Sequence, residues 1–286
     1  MSVIYLFLAL NSILMVAIPV TIAIIIRRRT GAGWRLFFIG AVTFILSQVL
    51  HIPFNWLVSR TGVLPTDLTP WINLITIAVF YGLSAGVFEE VGRYLAYRFW
   101  AKDARSWSRG MMMGAGHGGI EAILLGLILL INNFALLYIV NNPTIMGTMP
   151  TDQQALITST AESMLAIPWY DALLGAVERL FAVTAHLAMS VMVLQVFLRR
   201  SIRWLFLSIG FHTFLNAVAL IVAQRWGNYA SEGALALITL LSLFIIFRLR
   251  TPEPVEAEPE PLPVASTADA VDLSPTDDVI DRSRYH

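Results

Sequence analysis

Seven apolar segments dominate the chain, and they constrain its fold more than any other feature. They run over residues 3–26, 35–59, 71–99, 110–140, 171–198, 203–224 and 233–247. Each is near the length that crosses a hydrocarbon core as an α-helix. Backbone polar groups in lipid must be satisfied within the segment, so helices are the form these stretches can take. The expected class is all-α: a polytopic integral membrane protein of about seven transmembrane helices. The first segment is longer than a cleaved signal peptide and has no small-residue cleavage site, so a retained helix is expected.

Composition agrees. Hydrophobic residues make up 57% of the chain and charged residues 13%, with a mean hydropathy of +0.71. Soluble domains are nearer a quarter charged. There is no cysteine, which excludes disulfides, thiolate metal sites and a cysteine nucleophile. Basic residues sit at helix ends rather than in a patch, so no nucleic-acid partner is expected.

The loops set an expected orientation. Arg27, Arg28, Arg29 and Arg35 flank the first, Arg98, Lys102, Arg105 and Arg109 the third, and Arg199, Arg200 and Arg203 the fifth. Arg248 and Arg250 follow the last segment. The alternate loops carry only Arg60 and Arg225. The positive-inside rule then places the N-terminus outside and the C-terminus in the cytoplasm. Residues 141–170 are polar with spaced apolar positions, as in a short interfacial helix. From Thr251 onward the chain holds nine of its nineteen acidic residues and two basic ones. Rich in Pro, Glu, Asp and Ala, residues 251–286 read as a disordered, acidic cytoplasmic tail, leaving residues 1–250 as the transmembrane domain.

Charge inside the spans is the second constraint. Glu89, Glu90, Arg93, Glu121, Glu178 and Arg179 lie there, with His117, His186 and His212. Uncompensated at helix centres, the six charges would cost roughly 15–20 kcal/mol. They must face the bundle interior, pair, or meet water. Spacing of four residues puts Glu89 with Arg93, His117 with Glu121, and His212 with Asn216 on common faces. Counting 1.5 Å per residue from the arginine-flanked ends, Glu89, His117, Glu121, His186 and His212 lie ~12–20 Å deep. Glu178 and Arg179 lie ~30 Å up, as a charge pair or loop anchor outside the cluster. A buried ion pair accounts for one of Glu89 and Glu90, and a carboxylate-held histidine or an interhelical hydrogen bond accounts for the other pairs. The second carboxylate is left over. His51 shows no partner pattern and reads as a packing or interfacial residue.

This set suits hydrolysis. A glutamate takes a proton from water, a facing histidine orients that water, and His212 and Asn216 stabilise the oxyanion on a peptide carbonyl. His117, Glu121, His186 and His212 could instead hold zinc with an open position. A proton-coupled transporter is the rival from another class, though a relay needs polar groups spread across the membrane. A non-catalytic adaptor explains the tail but not the buried acids.

FEEVGR, GHGGIEA and FHTFLN, in that order on successive helices, resemble the YhfC family of intramembrane proteases. That family is grouped with the CaaX-protease and bacteriocin-processing (CPBP, or ABI) and PrsW-like superfamily. The resemblance covers roughly residues 1–250. It implies a CPBP-like helical core and an intramembrane endopeptidase acting on a membrane-associated peptide or protein in a prokaryotic plasma membrane. It also implies that Glu89 and His117 activate water, His212 and Asn216 are transition-state donors, and Arg93 supports the glutamates. Two departures stand out: Arg93 comes one residue earlier than in the wider EExxxR motif, and Glu121 and His186 are additional. They leave the base open between Glu89 and Glu90, and the mechanism open between metal-free, which this reading favours, and zinc-dependent. The substrate is not legible.

Overall fold

The computed structural model describes residues 3–251. The expected disordered tail lies outside the described residues, apart from Thr251. Every regular element described is helical: α1 (Val3–Thr30), α2 (Trp34–Arg60), α3 (Trp71–Phe99), α4 (Trp107–Val140), α5 (Pro143–Gly147), α6 (Thr151–Ala166), α7 (Leu174–Leu198), α8 (Arg203–Trp226) and α9 (Asn228–Arg248), with a 3-10 turn at Asp171–Leu173 before α7. Seven of them (α1–α4 and α7–α9) are long and apolar enough to span a bilayer. The protein is a multi-pass, all-α membrane protein. The polar stretch 141–170 forms α5 and α6, and Asn142 caps α5 by accepting from the Ile145 amide at 3.3 Å.

Five spans, α1, α3, α4, α8 and α9, surround α7, whose most apolar window is 78% buried inside the bundle, against 6% for that of α4. It touches α1, α3, α4, α8 and α9, while α3 packs along α8 and α4 lies against α1, α2 and α7. In lipid, apolar surface gives helices no reason to choose one another; close packing and interhelical polar bonds do. Glycines at the start of α4 provide the packing. A Cβ on Gly116 would lie 1.9 Å from the Phe37 carbonyl oxygen of α2, and one on Gly118 would lie 2.7 Å from His186 Cβ of α7. Only a hydrogen fits at either position. The second half of α4 turns its apolar residues, among them Ile128, Ile131 and Phe134, outward to lipid.

Arginines bind the loops at one end. Arg35, at the start of α2, forms an ion pair with Asp103 beyond α3, and Arg109 donates to the Asp103 carbonyl at 2.6 Å. The hydrogen bond from Arg35 holds the exposed Asp103 carboxyl below the usual carboxylate range. Arg105 caps α3 by donating to the Tyr97 and Ala101 carbonyls at 3.1 and 3.0 Å. At the opposite end Gly227, with φ of +84°, joins α8 to α9.

Candidate active site

Glu89 and Glu90 are adjacent on α3, so their side chains leave the helix ~100° apart. That angle separates their environments. Glu89 turns toward α2 and α4: Gln48 Nε2 donates to its Oε1 at 3.0 Å, and His117 Nε2 donates to its Oε2 at 3.1 Å. Glu90 turns toward α8 and is fully buried. It forms an ion pair with Arg93 and accepts from Ser208 Oγ at 2.7 Å and from His212 Nδ1 at 3.0 Å. The spacing expectation that Arg93 pairs with Glu89 is therefore corrected. Positions three apart are as near as positions four apart, and the remaining reach of Arg93 goes to α7, where Nη2 donates to His186 Nδ1 at 3.1 Å.

Two carboxylate–imidazole pairs result, in opposite order. In one, Glu89 faces a cavity of about 130 Å³ with His117 behind it. In the other, His212 faces the same cavity with Glu90 behind it. A carboxylate accepts, so His117 donates from Nε2 and His212 from Nδ1. The lone pair of neutral His212 is then on Nε2, and that of neutral His117 on Nδ1, which is buried without a partner. His117 does not line the cavity. Its Nε2 is committed to Glu89. Asn216 lines the cavity one turn beyond His212, and its side chain is hydrogen-bonded to no described residue.

Glu121 is not the partner of His117. Its Oε2 accepts from His186 Nε2 at 2.7 Å and its Oε1 from Arg179 Nη1 at 2.7 Å. Arg179 also pairs with Glu178. The expectation that Glu178 and Arg179 stand apart is thus corrected too: a long guanidinium stem on α7 reaches down to Glu121. Arg93 can only donate, which makes His186 Nδ1 the acceptor and fixes the proton on Nε2. The imidazoles of His117, His186 and His212 follow one another at centroid distances of 5.2 and 5.7 Å.

Gln48 belongs to a second chain of polar groups that the sequence reading missed. Its Oε1 accepts from His51 Nδ1 at 3.1 Å, and Asn55 Nδ2 donates to His51 Nε2 at 2.8 Å. Spacing could have found it: Gln48, His51 and Asn55 are three and four residues apart on one face of α2.

Among the described residues, one group could hold a metal ion. Single donor atoms of Glu89, His117 and His186 lie within 4.8 Å of one another. This is not the expected set of His117, Glu121, His186 and His212; Glu121 and His212 are drawn off to Arg179 and Glu90. Two imidazoles and a carboxylate fit a zinc-type ion in kind and number, and the orphaned Nδ1 of His117 is a free lone pair. His186 would have to exchange its bond from Arg93 for the ion.

The profile of the YhfC intramembrane metalloprotease family matches residues 14–239. The uncharacterized membrane protein YhfC of Bacillus subtilis (strain 168) is 30% identical over 248 residues, which covers 85% of this chain and 95% of that protein. No solved structure matches the chain significantly. With its GHGGIEA and FEEVGR motifs interlocked through Glu89 and His117, the chain belongs to the YhfC intramembrane metalloprotease family.

Proposed function

We propose that the protein is an endopeptidase that hydrolyses a peptide bond of a membrane-associated substrate, with Glu89 as base and His212 as its acid partner. One observation carries this reading: the two neighbouring carboxylates are used in opposite ways. Glu90 is neutralised by Arg93 and serves to orient His212. Glu89 is held only by the neutral donors Gln48 and His117 and faces the cavity. A carboxylate without a cation on it keeps its basicity for a reacting proton.

In this mechanism Glu89 removes a proton from water as the water oxygen bonds to the substrate carbonyl carbon. Asn216 donates to the oxyanion that forms. Collapse breaks the C–N bond; the proton that Glu89 took from water passes to the free Nε2 of His212 and from there to the leaving nitrogen, which returns both groups to their starting states. The products are a carboxylic acid and an amine. A helical substrate must unwind locally first, because its carbonyls are otherwise bonded within the helix. The arginine-flanked loops support a cytoplasmic location for their end of the bundle, with the N-terminus outside.

The zinc-dependent reading is favoured by the Glu89–His117–His186 donor group and by the printed name of the family. Those three residues would hold the ion, which would supply Lewis-acid polarisation and a water of lowered pKa. His212 and Asn216 keep their places at the cavity in either case.

The deciding experiment maps new protein N-termini in membranes expressing the wild type or Glu89→Gln at matched levels, with metal analysis of the purified proteins. Cleavage products that vanish with Glu89→Gln, from a wild-type protein active in chelator, support the metal-free reading. One stoichiometric zinc, with activity lost to chelator and restored by the ion, overturns it in favour of the zinc reading. Identical maps from two folded proteins overturn both and favour a proton-coupled transporter.

A further inference from the structure

The cavity at Glu89 does not end there. A second, larger cavity of about 510 Å³ lies toward the junction of α8 and α9, and the two share Glu178, Ala219 and Leu235 as walls. The shared wall follows from helix periodicity. On α8, His212, Asn216, Ala219 and Ala223 recur at steps of four, three and four, which is one face. On α7, His186, Ala182 and Glu178 recur at steps of four. Two facing stripes of small and polar residues thus run from the candidate reacting centre to the end of the bundle away from the arginine-flanked loops.

The charge along this route is one-sided. Asp171, Glu178 and Glu232 line the outer cavity, and among the described residues no lysine or arginine does. Glu89 and Glu121 line the inner one. Among the described residues Arg179 is the one arginine on either wall, and its guanidinium is committed to Glu121 and Glu178. Glu232 Oε2 is buried with no hydrogen-bond partner. Carboxylates in a low-dielectric cleft focus their field and concentrate cations.

We propose that these two cavities form one aqueous, cation-admitting passage, by which water and positively charged groups reach Glu89 from the α8–α9 end of the bundle. Its purpose rests on the hydrolytic reading above; its existence does not, and is measured without any catalytic readout.

The absence of cysteine makes the test direct. Ala219→Cys places a thiol on the shared wall, Asn228→Cys marks the mouth, Ser201→Cys marks the opposite end, and Val87→Cys marks a lipid-facing site. Each full-length protein is reconstituted in sealed, oriented vesicles. Each is then treated from one side with a trimethylammonium or a sulfonate methanethiosulfonate, neither of which crosses lipid. The expected result is that Ala219→Cys reacts from the same side as Asn228→Cys, with the cation about tenfold faster than the anion. Adding Glu232→Gln should reduce that ratio several-fold, and Val87→Cys should stay unreacted. The passage is overturned if Ala219→Cys is inert while Asn228→Cys reacts, or if it reacts from the Ser201 side. Its charge selectivity is overturned by equal rates for the two reagents. Ala182→Cys, on the opposite wall, carries the same expectations should Ala219→Cys not fold.

Discussion

Arg93 pairs with Glu90, three residues before it, and leaves Glu89 without a cation. The guanidinium, at 0% exposure, sits between Glu90 and His186 and ties α3 to α7. Removing it strands a buried carboxylate. We expect Arg93→Met to destabilise the protein by about 3–5 kcal/mol, read as thermal unfolding in detergent. Glu89→Gln, which keeps its shape and one acceptor, should cost much less. Equal losses for the two would contradict the division of labour between the carboxylates.

That division also predicts the kinetics. Glu89→Gln should lower kcat by about 100-fold or more with the fold intact, because the base is gone. His117→Gln keeps an N–H donor near Glu89 and should retain clearly more activity than His117→Ala. If His117→Gln and His117→Ala were equally impaired while both stayed folded, His117 would do more than hold Glu89.

Gly118 offers a steric test. A methyl there meets His186 at 2.7 Å, so Gly118→Ala should push α4 from α7, cost about 1–3 kcal/mol and impair activity. Gly210, on α8, has nothing within 4 Å of an added Cβ. Gly210→Ala should be neutral or stabilising by up to about 1 kcal/mol, since alanine is the better helix former. Unfolding curves of the two variants side by side give the comparison.

The Arg35–Asp103 junction predicts a small acid limb in stability. The hydrogen bond from Arg35 holds the folded-state carboxyl of Asp103 below its unfolded value of about 3.9. The pair therefore contributes fully above that pH and loses its contribution as pH falls through the lowered value. Both side chains are more than half exposed, which limits the effect to under about 1 kcal/mol and makes it sensitive to salt. Asp103→Asn should lack this limb while matching wild type in the slope of stability between pH 5 and 7. Unfolding measured across pH in low and high salt checks both points.

The sequence revealed the seven spans because length and apolarity alone decide them. It also located the buried charges, whose cost in lipid makes each one conspicuous. The partners were less legible. Helical spacing limits which residues share a face, but Glu90, Arg93 and His186 meet across helices, and the choice between Glu89 and Glu90 is made by what α4 and α8 present. Side-chain reach hid the link from Arg179 to Glu121. Glu232 escaped because the last apolar run begins after it, whereas α9 starts at Asn228; polar residues there continue the helix at the open end of the bundle. His51 was set aside because it shows no partner pattern, yet the Gln48 amide links it to Glu89.

The polar bonds between α3 and α7 or α8 join residues 93, 118 and 122 positions apart. During synthesis, α3 and α4 enter the bilayer long before the helices that satisfy them exist. The nascent chain must carry Glu89, Glu90, Arg93 and Glu121 near lipid, sheltered by the insertion machinery or by one another, until α7 and α8 arrive. A chain that stops after α6 would keep Glu90 and Glu121 without their long-range partners, a mark by which membrane quality control can tell an unfinished copy from a finished one.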